Sequence, residues 1–164
     1  MPTIDIDLAE LEKLVGRTYE GNFEDLDNVL AFVKSEVTSV DAVGIPVLST
    51  SEDIANARLR FENGCIANLT ASRMSFKSMR KFRLFQSDAY LAVDFENREL
   101  TVAFKKAGAM GPIPGVALET RRFPQEDILN KEIIAFVEAV KTGQEAPVSG
   151  AAGRAALNLA LDIM

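Results

Sequence analysis

The chain has no histidine and a single cysteine, Cys65, in 164 residues. Without histidine there is no Ser-His-Asp or Cys-His nucleophile system, no histidine zinc site and no imidazole proton shuttle. One cysteine excludes an intrachain disulfide and a thiolate metal cluster, and it suits a reducing compartment. Basic residues are also in the minority, with 18 Lys and Arg against 24 Asp and Glu, for a formal net charge of -6. That average field repels a phosphate backbone, so no nucleic-acid partner is expected. No apolar run reaches the roughly 18 residues of a membrane span, and the start MPTIDIDLAEL carries acids where a signal peptide carries lysine or arginine. No membrane partner is expected, and these features read as cytoplasmic. Any catalysis is left to carboxylates, lysines, tyrosines and serines.

What is present is a chain that is 48% apolar and 26% charged, the balance of one soluble globular domain with a real core. Leu8, Leu11, Leu14 and Val15 share a helical face that Gly16 would end. A second short helix is predicted over Asp25 to Phe32, with Leu26, Val29, Leu30 and Val33 as its apolar face. From Lys34 the period changes. Ala55, Ala57, Leu59 and Phe61 alternate with Asn56, Arg58, Arg60 and Glu62, the period of a strand buried on one face.

Register tests extend this reading. A three-residue loop, Glu62 to Gly64, sets Phe61 opposite Cys65, Leu59 opposite Ala67 and Ala57 opposite Leu69, with Gly64 in a left-handed bulge position. A two-residue turn at Ser87-Asp88 pairs Leu84 with Leu91 and Phe82 with Val93. A loop over Glu96 to Glu99 then pairs Phe95 with Leu100 and Val93 with Val102. The resulting antiparallel meander has one apolar face, on which Cys65 is a core residue. The other face carries Arg58, Arg60, Lys81 and Arg83 together with Ile66, Phe85 and Tyr90, too apolar a mixture for plain solvent exposure. The segment GAMGPIPG, Gly108 to Gly115, reads as a linker or loop. After Pro124 an amphipathic helix is predicted to about Thr142, burying Leu129, Ile133, Phe136, Val137 and Val140, with Lys141 in its last turn and Gly143 as its stop. Ser149 caps a final alanine-rich helix whose face is Leu157, Ala160, Leu161 and Met164, and whose end has no cap signal.

In this order and spacing, DLDNVLAFV (from Asp25), EDIANARLRFENGCIANLTASR (from Glu52), KFRLFQSDAYLAVDF (from Lys81), NKEIIAFVEAVKTG (from Asn130) and VSGAAGRAALNLAL (from Val148) resemble the C-terminal domain of the Gfo/Idh/MocA oxidoreductases, the family of glucose-fructose oxidoreductase and inositol dehydrogenase. The resemblance implies an α+β fold: an open, mainly antiparallel sheet with helices packed on one face and the other face available for oligomerisation. It covers residues 23–164 and leaves 1–22 as an unmatched helical segment. Full-length members bind NAD or NADP on an N-terminal Rossmann domain. This chain has no G-x-G-x-x-G, and none of its six prolines follows a lysine, so the family's Glu-Lys-Pro motif is absent as well. Where the family's helix commonly opens on His-Asp-x-Asp, Glu24 holds the histidine's place, followed by Asp25 and Asp27.

Those three acids are candidates for acid-base work or for holding a cation, although carboxylates are also ordinary at a helix start. Arg73 and Lys77, just past a strand end and followed by Arg80 and Lys81, are candidates for gripping an anionic substrate such as a sugar acid or nucleotide sugar. No cofactor or metal is expected on this chain. The function implied is a substrate-side and oligomerisation domain with no autonomous dehydrogenase activity, homo-oligomeric through Arg58, Arg60, Ile66, Lys81, Arg83, Phe85 and Tyr90. Two alternatives stay open: a subunit completed by a separate Rossmann protein, and an engineered chimera acting as an assembly module.

Overall fold

The computed structural model describes residues 24–74 and 79–164, less the side chains of Glu24, Asp25 and Ile128. The helix expected over Leu8 to Val15 lies outside the described residues, as does Lys77. The class is α+β, with open antiparallel sheets and helices. The described residues divide into two compact units, one holding 79–126 and the other holding 24–74 with 127–164.

In the second of these, helix α1 (Glu24–Val33) is followed by strands β1 (Val37–Ile45), β2 (Ile54–Phe61) and β3 (Ile66–Ser72), in sheet order β1-β2-β3, and later by helices α2 (Ile128–Thr142) and α3 (Gly150–Ile163). The β2–β3 register follows from the alternation: Leu59 pairs with Ala67 and Ala57 with Leu69, while the Phe61 N–H donates to the Cys65 carbonyl at 3.0 Å. Gly64 has φ +82°, a conformation that costs glycine little. Asn63 ties this hairpin to the end of α1, its Oδ1 accepting the Cys65 N–H at 3.0 Å and its Nδ2 donating to the Val33 carbonyl at 3.3 Å. β1 was not foreseen. It pairs with β2 along its length after a bulge between Val37 and Ser39.

The core of this unit is Leu26, Val29, Phe32 and Val33 of α1, Ala57, Leu59 and Phe61 of β2, and Ala156, Leu159 and Ala160 of α3. α1 packs on α3, and α3 on β1. Each of the larger side chains contributes about 1.5–3 kcal/mol by leaving water. Two expectations need correction. The face of α3 is turned, so Ala160 is buried while Leu157, Leu161 and Met164 are exposed, because the small Ala156 and Ala160 let α1 approach closely. The apolar stripe of α2 is open, with Leu129 68% and Phe136 62% exposed and Ile133, Val137 and Val140 exposed beside them. Local signals mark both ends of α2. Asp127, not a residue nearer Pro124, caps it by accepting the Asn130 N–H at 3.0 Å, and Gly143 ends it at φ +68°. Ser149 caps α3 as expected, accepting the Ala152 N–H at 3.2 Å.

The other unit is a four-stranded meander of β4 (Lys81–Phe85), β5 (Ala89–Asp94), β6 (Glu99–Lys105) and β7 (Val116–Arg122), in sheet order β4-β5-β6-β7. The turn at Ser87-Asp88 gives the predicted pairs, Leu84 with Leu91 and Phe82 with Val93. The next hairpin does not. Val93 pairs with Leu100 and Asp94 with Glu99, two residues away from the predicted register, so the loop is Phe95 to Arg98. Asp94 causes the shift: its carboxylate accepts from the Asn97 N–H at 3.0 Å and from the Asn97 Nδ2 at 3.1 Å, closing the turn before Phe95 can join the ladder. Arg98 completes the turn at φ +51° and is buried, while Leu91, Val93, Phe95 and Leu100 form the apolar core of this unit. The segment read as a linker is the connection between β6 and β7.

Candidate functional site

The densest polar arrangement among the described residues surrounds Asp53, just before β2. Its Oδ2 accepts the backbone N–H groups of Val47, Leu48 and Ser49 at 2.8, 2.7 and 2.9 Å. Oδ1 accepts the Ser49 hydroxyl at 2.9 Å and the Arg73 Nε at 2.8 Å. Three N–H donors and a hydroxyl hold the charged form, and they hold the carboxyl far below the usual carboxylate range against the opposing effect of burial. The Asp53 side chain is 3% exposed and that of Arg73 56%. Arg73 is held at further points, its Nη2 donating to the Ser51 Oγ at 2.7 Å and the Glu52 carbonyl at 2.6 Å. The ladder explains the meeting. The Arg73 N–H donates to the Asp53 carbonyl at 3.1 Å, which extends the β2–β3 pairing by one step and brings opposite charges together across the strands.

Of the other sequence candidates, Glu24, Asp25 and Asp27 all fall in the first turn of α1, and Asp27 is half-buried there. No group of three potential metal-ligating side chains occurs among the described residues. Cys65 is half-buried, and burial pushes its thiol up. The seven face residues form two groups. Arg58, Arg60 and Ile66 lie exposed on the three-stranded sheet, where Arg60 is the cross-strand partner of Ile66. On the four-stranded sheet Phe85 is 64% exposed, and its ring lies 5.0 Å from that of Tyr90 at 40°. The exposed side chains of Lys81 and Arg83 share that strand, with the Lys81 Nζ 3.0 Å from Asp94 Oδ2. Burial pushes the Asp94 carboxyl up, but its bonds from Asn97 and Lys81 outweigh this and leave it below its ordinary value. No described helix is long and apolar enough to cross a membrane.

No family model matches the chain. Over 139 residues it is 36% identical to the UDP-N-acetylglucosamine 3-dehydrogenase of Acidithiobacillus ferrooxidans, a match covering 85% of this chain and 44% of that protein. A solved structure of the same dehydrogenase superposes with a TM-score of 0.81 at 35% identity, over 86% of this chain and 45% of the other. The chain is homologous to part of the Gfo/Idh/MocA dehydrogenases. It spans less than half the length of the relatives it matches. More distant Gfo/Idh/MocA structures share the fold, among them levoglucosan dehydrogenase in complex with NADH, with a TM-score of 0.64 at 20% identity over 80% of this chain and 42% of that one. A dehydrogenase from Clostridium difficile has a TM-score of 0.66 at 14% identity, over 86% of this chain and 45% of the other.

NAD or NADP is the cofactor that Gfo/Idh/MocA kinship implies. The described residues do not fit a dinucleotide. Within each sheet every pairing is antiparallel, with no strand, glycine turn and helix unit to cradle a pyrophosphate. The N-terminus of α2 is already occupied by the Asp127 carboxylate, whose charge opposes a phosphate.

Proposed function

We propose that the chain is the substrate-side and self-association domain of a Gfo/Idh/MocA oxidoreductase, with NAD(P) held by a nucleotide-binding domain outside these 164 residues. The substrate class is a nucleotide sugar. The observation that carries this reading is the 36% identity over 139 residues to UDP-N-acetylglucosamine 3-dehydrogenase. Arg73 and Lys77 are the substrate-binding candidates, and the cell compartment in this reading is the cytoplasm. Calorimetric titration tests it. UDP-N-acetylglucosamine is expected to bind the chain saturably and NADH is not. Micromolar NADH binding, or indifference to the nucleotide sugar, overturns the reading.

Self-association is the second half of the proposal. It rests on the exposed Phe85 and the half-exposed Tyr90, a tilted aromatic pair with Arg83 and Lys81 further along the same strand, that a two-fold axis can set against its own copy. Phe85→Glu combined with Tyr90→Lys is expected to reduce the mass seen by light scattering while circular dichroism is unchanged. A wild type that is monomeric at tens of micromolar, or a folded double variant that keeps the wild-type mass, removes this half.

A further inference from the structure

Arg73 is fixed along one edge of its guanidinium, with Nε on Asp53 Oδ1 and Nη2 on Ser51 and Glu52. Because the fork is planar, those bonds also set the direction of Nη1, which makes no hydrogen bond among the described residues. The side chain is nonetheless more than half exposed. A guanidinium serving only to neutralise Asp53 has no need of an outward edge, whereas one that receives an anion needs this arrangement: rigid on the protein side and open on the other.

The protein side is itself built to be rigid. Asp53 holds the 47–49 backbone through three N–H groups, and it is nearly excluded from solvent while its partner is not. Ser51 adds a hydroxyl that accepts from Arg73 at 2.7 Å and lies 3.4 Å from the Ser49 hydroxyl, which ties the same loop together. We infer that Asp53 is a positioning residue that aims Arg73 as an anchor for the diphosphate of a nucleotide sugar. This rests on the substrate-side reading above and goes beyond it by naming the anchor, the residue that aims it and the part of the ligand it takes.

Two variants separate aiming from folding. In Asp53→Asn the amide oxygen can still accept the 47–49 N–H groups, but the amide nitrogen meets the Arg73 Nε donor to donor, so the loop is kept and the aim is lost. In Arg73→Lys the charge stays and the fork is lost. The full chain is titrated with inorganic pyrophosphate and, separately, with UDP-N-acetylglucosamine, and the Arg73 Nε–H is followed by 15N NMR. Both ligands are expected to move that signal in the wild type. Each variant is expected to bind both at least tenfold more weakly with unchanged circular dichroism. An Nε signal that ignores ligands the wild type binds, or folded variants with undiminished affinity, overturns the anchor and leaves the substrate-side reading intact. Pyrophosphate binding at Arg73 without any binding of the nucleotide sugar overturns the anchor as stated, reducing Arg73 to a free-phosphate contact, and removes that reading too. Binding of neither removes both.

Discussion

The connections 46–53, between β1 and β2, and 106–115, between β6 and β7, are held by different chemistry. The first is organised by one ionised side chain, Asp53, which gathers three backbone N–H groups, a hydroxyl and a guanidinium. Among the described residues the second is held by backbone bonds: the Lys106 N–H donates to the Gly115 carbonyl at 2.9 Å, the Ala109 N–H to the Lys106 carbonyl at 3.1 Å and the Gly115 N–H to the Ala109 carbonyl at 3.1 Å. Its special residues are Gly108 and Gly115, at φ +78° and +79°, and its Met110 is fully exposed. One loop therefore depends on a charge and the other on permitted backbone angles. Proton concentration acts on the first, and the loss of left-handed backbone freedom at two glycines acts on the second.

The strongest way to break this contrast is Asp53→Ala. It leaves three N–H groups and Arg73 without their acceptor, and the thermal midpoint is expected to fall by on the order of 5–10 °C, read by circular dichroism. A midpoint within about 1 °C of wild type would mean that water replaces the carboxylate without loss.

Acid gives a graded version of the same test. The carboxyls of Asp53 and Asp94 both lie below their ordinary values in the folded chain, so their contribution is present above the unfolded value of about 3.9 and is lost as pH falls through the folded values. The urea midpoint of the wild type is expected to drop from pH 5 to pH 2. Asp53→Asn is expected to show a shallower drop, and equal slopes would assign the acid sensitivity to other groups.

The smallest effect belongs to the glycine loop. A Cβ at Gly115 meets no atom within 4 Å, so Gly115→Ala should cost only backbone strain, about 1 kcal/mol by urea unfolding at any pH between 5 and 8. Gly115→Asn should cost less, since asparagine tolerates the left-handed region. A pH-dependent penalty would erase the distinction between the loops.

Legibility followed what the hydrophobic pattern can encode. A slip of one residue in β2–β3 would have put Leu59 and Phe61 on the wrong face, so alternation was enough to set that register. The β5–β6 slip was of two residues, which keeps every side chain on its own face. Only the polar turn chemistry of Asp94 and Asn97 distinguishes the two registers. β1 escaped because none of its nine residues is buried, so it shows no alternation, and β7 because residues 118–122 are all exposed and show no buried period. The open stripe of α2 was read as buried because amphipathic spacing specifies a helix without specifying what covers it. Asp53 was within reach. The register that sets Phe61 opposite Cys65, carried eight residues back along β2, sets Asp53 opposite Arg73, and a carboxylate facing an arginine beyond a serine-rich loop is a signal in itself.

The packing of Tyr90 against Phe85 also has an optical consequence. The chain has no tryptophan and two tyrosines, so its near-ultraviolet emission comes from two phenols, one of them on the exposed face of the four-stranded sheet. Tyr90 can therefore report on that face without a dye. Its quantum yield and its quenching by iodide should change with concentration as copies assemble, and Tyr90→Phe, which keeps the ring and removes the phenol, supplies the dark reference.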